Sequence, residues 1–306
     1  MIKLNKINME MHTFYQADDH STYFKLFVES LVLKFKPLQI FCFSKETVLE
    51  EVQSCFNDEK LKQRCNYCLL LVTESTNRID YEVQDYSNAH YKLGNVTILC
   101  HAKETIEEAF KANSRFFITV CNEGKLVYGH DGLTNFYVPA HFIPTQAGEK
   151  ALKHFSYRIP LAEGFLIGAG ECLNKGQYSV CVFMLHQVVE QVCIGLIRFF
   201  MAYRSEIHNL HKLLRLCTTF SSAPIKLFLS GSPEDERLFD MLLKSYAAAR
   251  YKSNFIVLAD DAWALYNKTI AFVALAKEMC HQKIEELECG TKVSHGFTAE
   301  NEVSHE

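Results

Sequence analysis

The sequence predicts two domains, a small α/β or α+β domain followed by an all-helical bundle. Strand-like and helix-like segments alternate as far as residue 128, a pattern typical of a mixed sheet covered by helices. From residue 141 onward no strand-like pattern remains. Residues 178–203 form one long apolar segment, which is too long for a strand and indicates a central helix.

In the first domain, apolar positions at helical spacing predict a helix over 23–35, which ends before Pro37 because proline cannot continue it. Short apolar runs predict strands over 38–43, 67–73, 96–100 and 125–128. Helices are expected over 45–56, 78–91 and 104–113, and residues 115–120 fit either a helix or a strand. The glycine-containing stretch 132–144 is the candidate linker.

In the second domain, helices are expected over 147–173, 178–203, 207–217, 232–250 and from residue 260 to about 289. The fourth begins with Ser232, Pro233 and three acids, which combine a capping hydroxyl, proline at the first helical position and negative charge at the positive helix end. The expected domains are 1–140 and 141–289, with a disordered tail over 290–306.

The central helix is apolar almost all round but carries a polar stripe, whose members are Gln187, Glu190, Gln191 and Arg198. A helix of this kind is buried in protein or lipid, and charges inside the run argue against lipid. Buried polar groups must find partners. The stripe is therefore interpreted as a polar core or dimer interface, with a ligand or nucleic-acid site as the alternative.

The 306 residues carry a net charge of −4, so the chain has no overall basic character of the kind that marks general nucleic-acid binding. The start of the sequence lacks the apolar core of a signal peptide. The 12 cysteines are therefore interpreted as reduced, mostly buried thiols in a cytoplasmic protein that spans no membrane.

Three segments of the second half resemble the HEPN domain: MLHQVVEQ at 184–191, HNLHKLL at 208–214 and AAARY at 247–251. The first half resembles a minimal nucleotidyltransferase domain, in its strand–helix–strand order and in the segment FKANSRFFITVCNEGKLVY at 110–128. The two resemblances together cover nearly the whole chain, and they imply a nucleotidyltransferase-like domain fused to a HEPN-like bundle.

The nucleotidyltransferase resemblance implies a Gly-Ser turn that approaches phosphate and two acids that hold a divalent metal. Phe43 and Ser44 stand at the turn position, and the acid positions carry Asn66 and Cys68, which are poor ligands for Mg²⁺. Ser44 and Lys45 remain candidates for phosphate contact, with a solvated surface as the alternative. No metal site and no cofactor is expected.

The HEPN resemblance implies a metal-independent ribonuclease in which four to six residues separate an Arg from a His. Arg250 occupies the arginine position, but residues 255–257 contain no histidine. Arg250 and Lys252 are therefore candidate phosphate contacts, and the alternative for Arg250 is a cation that stabilises a helix end. No catalytic residue is assigned.

Two other pairs carry weaker signals. Cys65 and Cys68 have the spacing of half a zinc site but lack a second pair, so buried thiols are expected. His208 and His211 could share a helix face, although no third ligand is evident, and capping or surface roles are favoured.

The resulting hypothesis is a noncatalytic two-domain regulatory protein that binds a nucleotide, RNA or a protein partner and forms a homodimer. The alternative is an active enzyme, either a nucleotidyltransferase or a HEPN-type ribonuclease.

Overall fold

A computed structural model describes the chain except for residues 1–19, 55–56, 131–141, 143–146 and 297–306. The chain divides into two compact units, Met1–Ile143 and Pro144–Glu306, and each is described by itself. Apart from Phe142, the candidate linker lies outside the described residues.

The described part of the first unit contains a small mixed sheet, as the sequence predicts. Its strands are β1 (Gln39–Ser54), β2 (Asn57–Thr73), β3 (Val96–Ala102) and β4 (Lys125–Gly129), in the spatial order β3-β2-β1-β4. Strand β1 pairs antiparallel with β2 and with β4, and β2 pairs in parallel with β3.

The helix predicted over 45–56 is wrong, because β1 continues through this segment and pairs with β2. The register runs from Gln39 opposite Val72 to Ser54 opposite Asn57. A register shift between Cys42 and Ser44 marks an irregularity within the strand. Ser44 therefore lies inside β1, and the chain makes no turn there.

Helices cover this sheet with apolar side chains. They are α1 (His20–Phe35), α2 (Asp80–His90), α3 (Lys103–Lys111) and α4 (Arg115–Glu123), so the ambiguous segment 115–120 is helical. Phe27 and Leu31 of α1 are fully buried in the same core as Leu69 and Leu71 of β2 and Ile98 of β3.

The described part of the second unit is helical throughout. Its helices are α5 (Ala147–Asn174), α6 (Tyr178–Met201), α7 (Leu210–Cys217), α8 (Ala223–Phe228), α9 (Pro233–Tyr251) and α10 (Ala259–Gly296). Helix α6 contacts α5, α7, α9 and α10, which confirms its predicted place at the centre of a bundle.

Two helix boundaries and one additional helix differ from the sequence expectations. Helix α7 begins only at Leu210, because the Asn209 side chain caps it by accepting from the Lys212 amide at 3.0 Å. Helix α8 was not predicted. Helix α10 passes the expected end near residue 289 and continues to Gly296. The rest of the predicted tail, residues 297–306, lies outside the described residues.

Within the part of the chain that the structure describes, α6 is the one helix long and apolar enough to cross a membrane. The bundle buries 78% of its most apolar window. Its apolar surface is therefore covered by the neighbouring helices of the same unit.

Candidate functional site

Helix α9 fixes the position of the candidate residue Arg250. The helix starts at a strong cap, where the Ser232 hydroxyl accepts from the Asp235 amide at 3.1 Å and Pro233 follows as the first helical residue. It ends at Tyr251, and the Lys252 amide still donates to the Ala248 carbonyl at 2.9 Å. Arg250 thus stands in the last turn of a well-anchored helix.

The Arg250 guanidinium is held against aromatic rings. Its Nε donates to the Tyr246 carbonyl at 2.7 Å, and its Cζ lies 4.1 Å from the Tyr246 ring centroid, 5.1 Å from that of Tyr251 and 5.6 Å from that of Phe183. The residue is exposed, and no carboxylate among the described residues pairs with it. Its remaining N–H groups are therefore available for an anion.

The segment after Arg250 contains no histidine, but a histidine from another helix lies nearby. His186 of α6 is buried, and its ring centroid is 5.0 Å from that of Tyr246. Burial, together with the positive charge of Arg250 and of His208, lowers the pKa of His186 to about 4. His186 is consequently neutral at neutral pH.

Sequence reasoning did not single out His186 as a neighbour of Arg250. The available signal was its spacing of four residues from Glu190, which places both side chains near one face of α6. That signal does not say which helix packs against this face, so only the structure joins His186 to the Arg250 site.

Glu190 connects α6 to the segment before α7. Its Oε1 lies 3.1 Å from Nδ1 of His208, whereas its Oε2 is buried and has no hydrogen-bond partner among the described residues. The exposed His208 therefore covers one oxygen of a carboxylate that is otherwise enclosed.

The other polar side chains of α6 also find partners within the helical unit. Gln191 accepts a hydrogen bond from Arg158 of α5, and Arg198 donates to the Ala202 carbonyl at 2.9 Å. Gln187 Nε2 lies 3.2 Å from His186 Nδ1. All four residues of the predicted stripe are thus in contact with groups of their own chain.

A shallow cleft of about 400 Å³ lies beside the C-terminal end of α9. Tyr246, Lys252, Asn254 and Phe255 are among the residues that line it. Lys252 is exposed and follows the end of the helix, so both predicted phosphate candidates of this unit, Arg250 and Lys252, stand at one end of α9.

In the first unit, Ser44 and Lys45 lie in strand β1. The Ser44 carbonyl accepts from the Cys42 thiol at 3.4 Å, and Lys45 Nζ lies 5.8 Å from the Tyr67 ring centroid. Both residues pair across the strand, with Cys68 and Tyr67. The geometry brings them to no loop at which a phosphate could be enclosed.

The two positions at which the nucleotidyltransferase resemblance would place metal-binding acids have structural roles. Asn66 donates to Glu46 at 2.9 Å and accepts from the Asn95 amide at 3.0 Å, and Cys68 is buried in the sheet. Cys65 is also buried. No group of three or more potential metal ligands occurs in the described parts of the chain.

The second histidine of the sequence pair has a local role. His211 accepts from Arg215 Nε at 3.2 Å and lies 6.1 Å, between centroids, from the Phe239 ring. Burial, with Arg215 as the second cause, lowers the pKa of His211 to about 4. Only His208 of this pair reaches Glu190.

Residues 155–279 match the family model of the HEPN domain. The match begins within α5, ends within α10 and includes α6, α7 and Arg250. The second unit therefore contains a HEPN domain, as the resemblance of its three motifs implies. No curated protein sequence is significantly similar to the chain.

Proposed function

We propose that the HEPN domain binds single-stranded RNA through Arg250, without cleaving it, and that the chain is a noncatalytic two-domain regulatory protein. The observation that carries this proposal is the state of Arg250, an exposed guanidinium fixed on aromatic rings and paired with no carboxylate of the described chain. RNA is favoured as the ligand because the HEPN resemblance implies ribonucleases.

The chemistry around Arg250 suits a nucleotide with its phosphate. A guanidinium offers a planar fork that can bond two phosphate oxygens, and Lys252 adds a second positive charge nearby. The Tyr251 ring is 78% exposed, so a base could stack on it. Arginine and an exposed ring side by side are typical of single-strand recognition.

The absence of cleavage follows from the proton-transfer chemistry. An efficient general acid or base has a pKa near the working pH. His186, the histidine beside Tyr246, is buried and has a pKa of about 4. It is therefore neutral and a poor general acid at neutral pH, and its Nδ1 lies 3.2 Å from Gln187 Nε2.

Fluorescence anisotropy with a labelled single-stranded RNA tests the proposal. The Arg250→Ala variant loses charge-assisted hydrogen bonds worth about 1.5–3 kcal/mol. It should therefore bind the RNA roughly 10- to 100-fold more weakly than the native chain. Arg250→Lys should recover only part of the affinity, because it keeps the charge but loses the fork. Lys226→Ala, a change at an exposed cation of α8, is the matched control.

The enzymatic alternative has one supporting observation, the proximity of His186 to Arg250. Incubating the same RNA with the intact protein tests it: cleavage that both Arg250→Ala and His186→Gln abolish would replace our proposal. Unchanged affinity in Arg250→Ala would overturn the proposed contact itself. Circular dichroism of each variant verifies that the helices remain folded.

For the first unit we propose a nucleotidyltransferase-like domain that transfers no nucleotide. The proposal is supported by the neutral residues at the two acid positions, Asn66 and Cys68, and by the engagement of Asn66 with Glu46 and Asn95. Metal-dependent labelling of an acceptor by labelled nucleoside triphosphates would contradict it.

A further inference from the structure

A group of cations lies at the opposite end of α6 from the Arg250 site. Its members, here called the basic cluster, are Lys153, His154 and Arg158 of α5, Arg198 of α6, and Arg204 in the segment after α6. About 22 Å of helix axis separate Phe183, which contacts Arg250, from Arg198, at roughly 1.5 Å per residue. The basic cluster is therefore distinct from the candidate site on α9.

The packing of α5 against α6 brings these residues together. The Phe155 and Phe199 ring centroids are 5.8 Å apart, and Arg158 donates to Gln191. These two contacts fix the register of the two helices, so the first described turns of α5 stand beside the last turns of α6. The helix spacing of four places His154 next to Arg158 on one side of α5.

Among the side chains that the structure describes, no acid is paired with the basic cluster. None of its five members forms an ion pair with any residue in the described ranges. The pKa of His154 is lowered by burial and then by the charges of Arg198, Arg158, Lys153 and Arg204, which shows that these cations act on one place. Like charges held close together are a cost to folding that an anionic partner would relieve.

An exposed aromatic ring stands beside the basic cluster. The Tyr157 side chain is 68% exposed, and the Arg158 Cζ lies 5.9 Å from its ring centroid. Cations that follow a phosphate backbone and rings that stack with bases are the two components of sequence-tolerant single-strand sites.

We propose that the basic cluster, with Tyr157, is a second contact surface for the backbone of single-stranded RNA. This inference rests on the proposed function and extends it: an RNA bound at Arg250 continues over the surface of the helical unit to the basic cluster. Contacts to phosphates carry no sequence information, so this surface contributes affinity without base preference.

The test measures binding of a labelled RNA of about twelve nucleotides to the full chain, since single-strand sites span roughly 4–16 nucleotides. The double variant Lys153→Gln/Arg204→Gln removes two exposed cations and leaves the helix contacts of Arg158 and Arg198 in place. The dependence of log affinity on log salt should become shallower by about 1.4, at about 0.7 per phosphate contact on a single strand. The double variant should change the salt dependence of binding equally for uridine-rich and adenosine-rich RNAs.

Lys226→Gln/Lys283→Gln, which makes the same charge change elsewhere in the helical unit, is the control and should keep the native salt dependence. An unchanged salt dependence in Lys153→Gln/Arg204→Gln, with binding still weakened by Arg250→Ala, would overturn the second surface and leave the proposed function standing. The reverse result would overturn the Arg250 contact alone. If the native chain binds no RNA, both the proposed function and the second surface are overturned. If a polyglutamate peptide binds as tightly as the RNA, the surface is assigned to an acidic protein instead.

Discussion

At the scale of single residues, two arginines of the same helix have opposite environments. Arg237, near the start of α9, donates to Glu234 at 2.9 Å and to Asp261 of α10 at 3.0 Å. Its charge is therefore engaged by two carboxylates, and the contact with Asp261 joins α9 to α10. Arg250, at the other end, has a backbone carbonyl and aromatic rings as neighbours. Arg237 therefore stabilises the fold, whereas Arg250 keeps N–H groups that can bind a ligand.

The sequence indicates Arg250 as a candidate site residue but does not describe its surroundings. The HEPN resemblance and the capped helix both led to this residue, and both are visible in the local sequence. Its contact with Phe183 and its proximity to His186 depend on how α6 crosses α9. Residues far apart in sequence carry no local pattern that reports such a crossing.

The lowered pKa values of His186 and His211 predict a stability that depends on pH. Both His186 and His211 have pKa values of about 4 in the folded chain, below the ordinary value of 6.5. Below pH 6.5 the unfolded chain binds protons that the folded chain does not, so stability falls as the pH drops from 6.5 towards 4. Each histidine contributes a slope of up to about 1.4 kcal/mol per pH unit in this window.

Urea unfolding at pH 7 and pH 5 measures this effect in the helical unit, because the single tryptophan, Trp263, lies on α10. His186→Gln should lose less stability between the two pH values than the native chain does. His281→Gln, a change at an exposed histidine of α10, should behave as the native chain. Equal losses in all three proteins would show that His186 does not titrate as inferred.

At the scale of elements, the segment 45–56 shows where local pattern fails. Its glutamates favour a helix, and Val48, Val52 and Phe56 recur at the helical spacing of four. In the structure, β1 instead pairs with β2 along this segment, from Lys45 opposite Tyr67 to Ser54 opposite Asn57. Partners in the neighbouring strand override propensity here, and no single window of sequence contains both strands.

The sequence predicts a helix end more closely when a particular residue, such as a capping residue, marks it. The Ser232 cap and Pro233 were visible as residues, and α9 begins where they stand. Asn209 is an equally good cap, but the expected helix began two residues before it. The start of α7 could thus have been placed correctly from its capping residue.

Two glycines of α5 allow a matched prediction about this helix. A Cβ added at Gly164 meets no atom within 4 Å, whereas one added at Gly170 comes 2.8 Å from the Tyr266 hydroxyl. Gly164→Ala should therefore stabilise the helical unit by about 0.8–1.0 kcal/mol, the difference in helix propensity. Gly170→Ala should gain less than this or lose stability, because Tyr266 must move.

Tryptophan fluorescence during urea unfolding compares the two variants with the native chain. The two substitutions make the same chemical change in the same helix, so each is the control for the other. An equal gain from both would mean that the contact between α5 and Tyr266 is not maintained in solution.

At the scale of the whole molecule, we predict a homodimer formed through the C-terminal helices. The sequence suggested surplus apolar surface on α6, but the bundle covers most of that helix. Other apolar side chains are exposed instead, between α9 and the start of α10: Ile256 is 79% exposed, Leu258 67% and Trp263 46%. An apolar surface that monomers rarely expose favours self-association.

Sedimentation at micromolar concentration should show a dimer, and Ile256→Arg should shift it towards monomer. Ile167→Arg, a change at an exposed isoleucine of α5, should leave the association unchanged. A native chain that sediments only as a monomer would contradict the prediction.

The burial of α6 also constrains how the chain can be made. This helix is covered by α5, which precedes it, and by α7, α9 and α10, which follow it. A ribosome releases the chain from its N-terminus, so α6 emerges while the later part of its cover has not been synthesised. During that interval the nascent chain exposes a segment with the length and apolarity of a membrane span. The HEPN domain can complete its fold only after α10 has left the ribosome. Until then, chaperones and the membrane compete with the neighbouring helices for contact with α6.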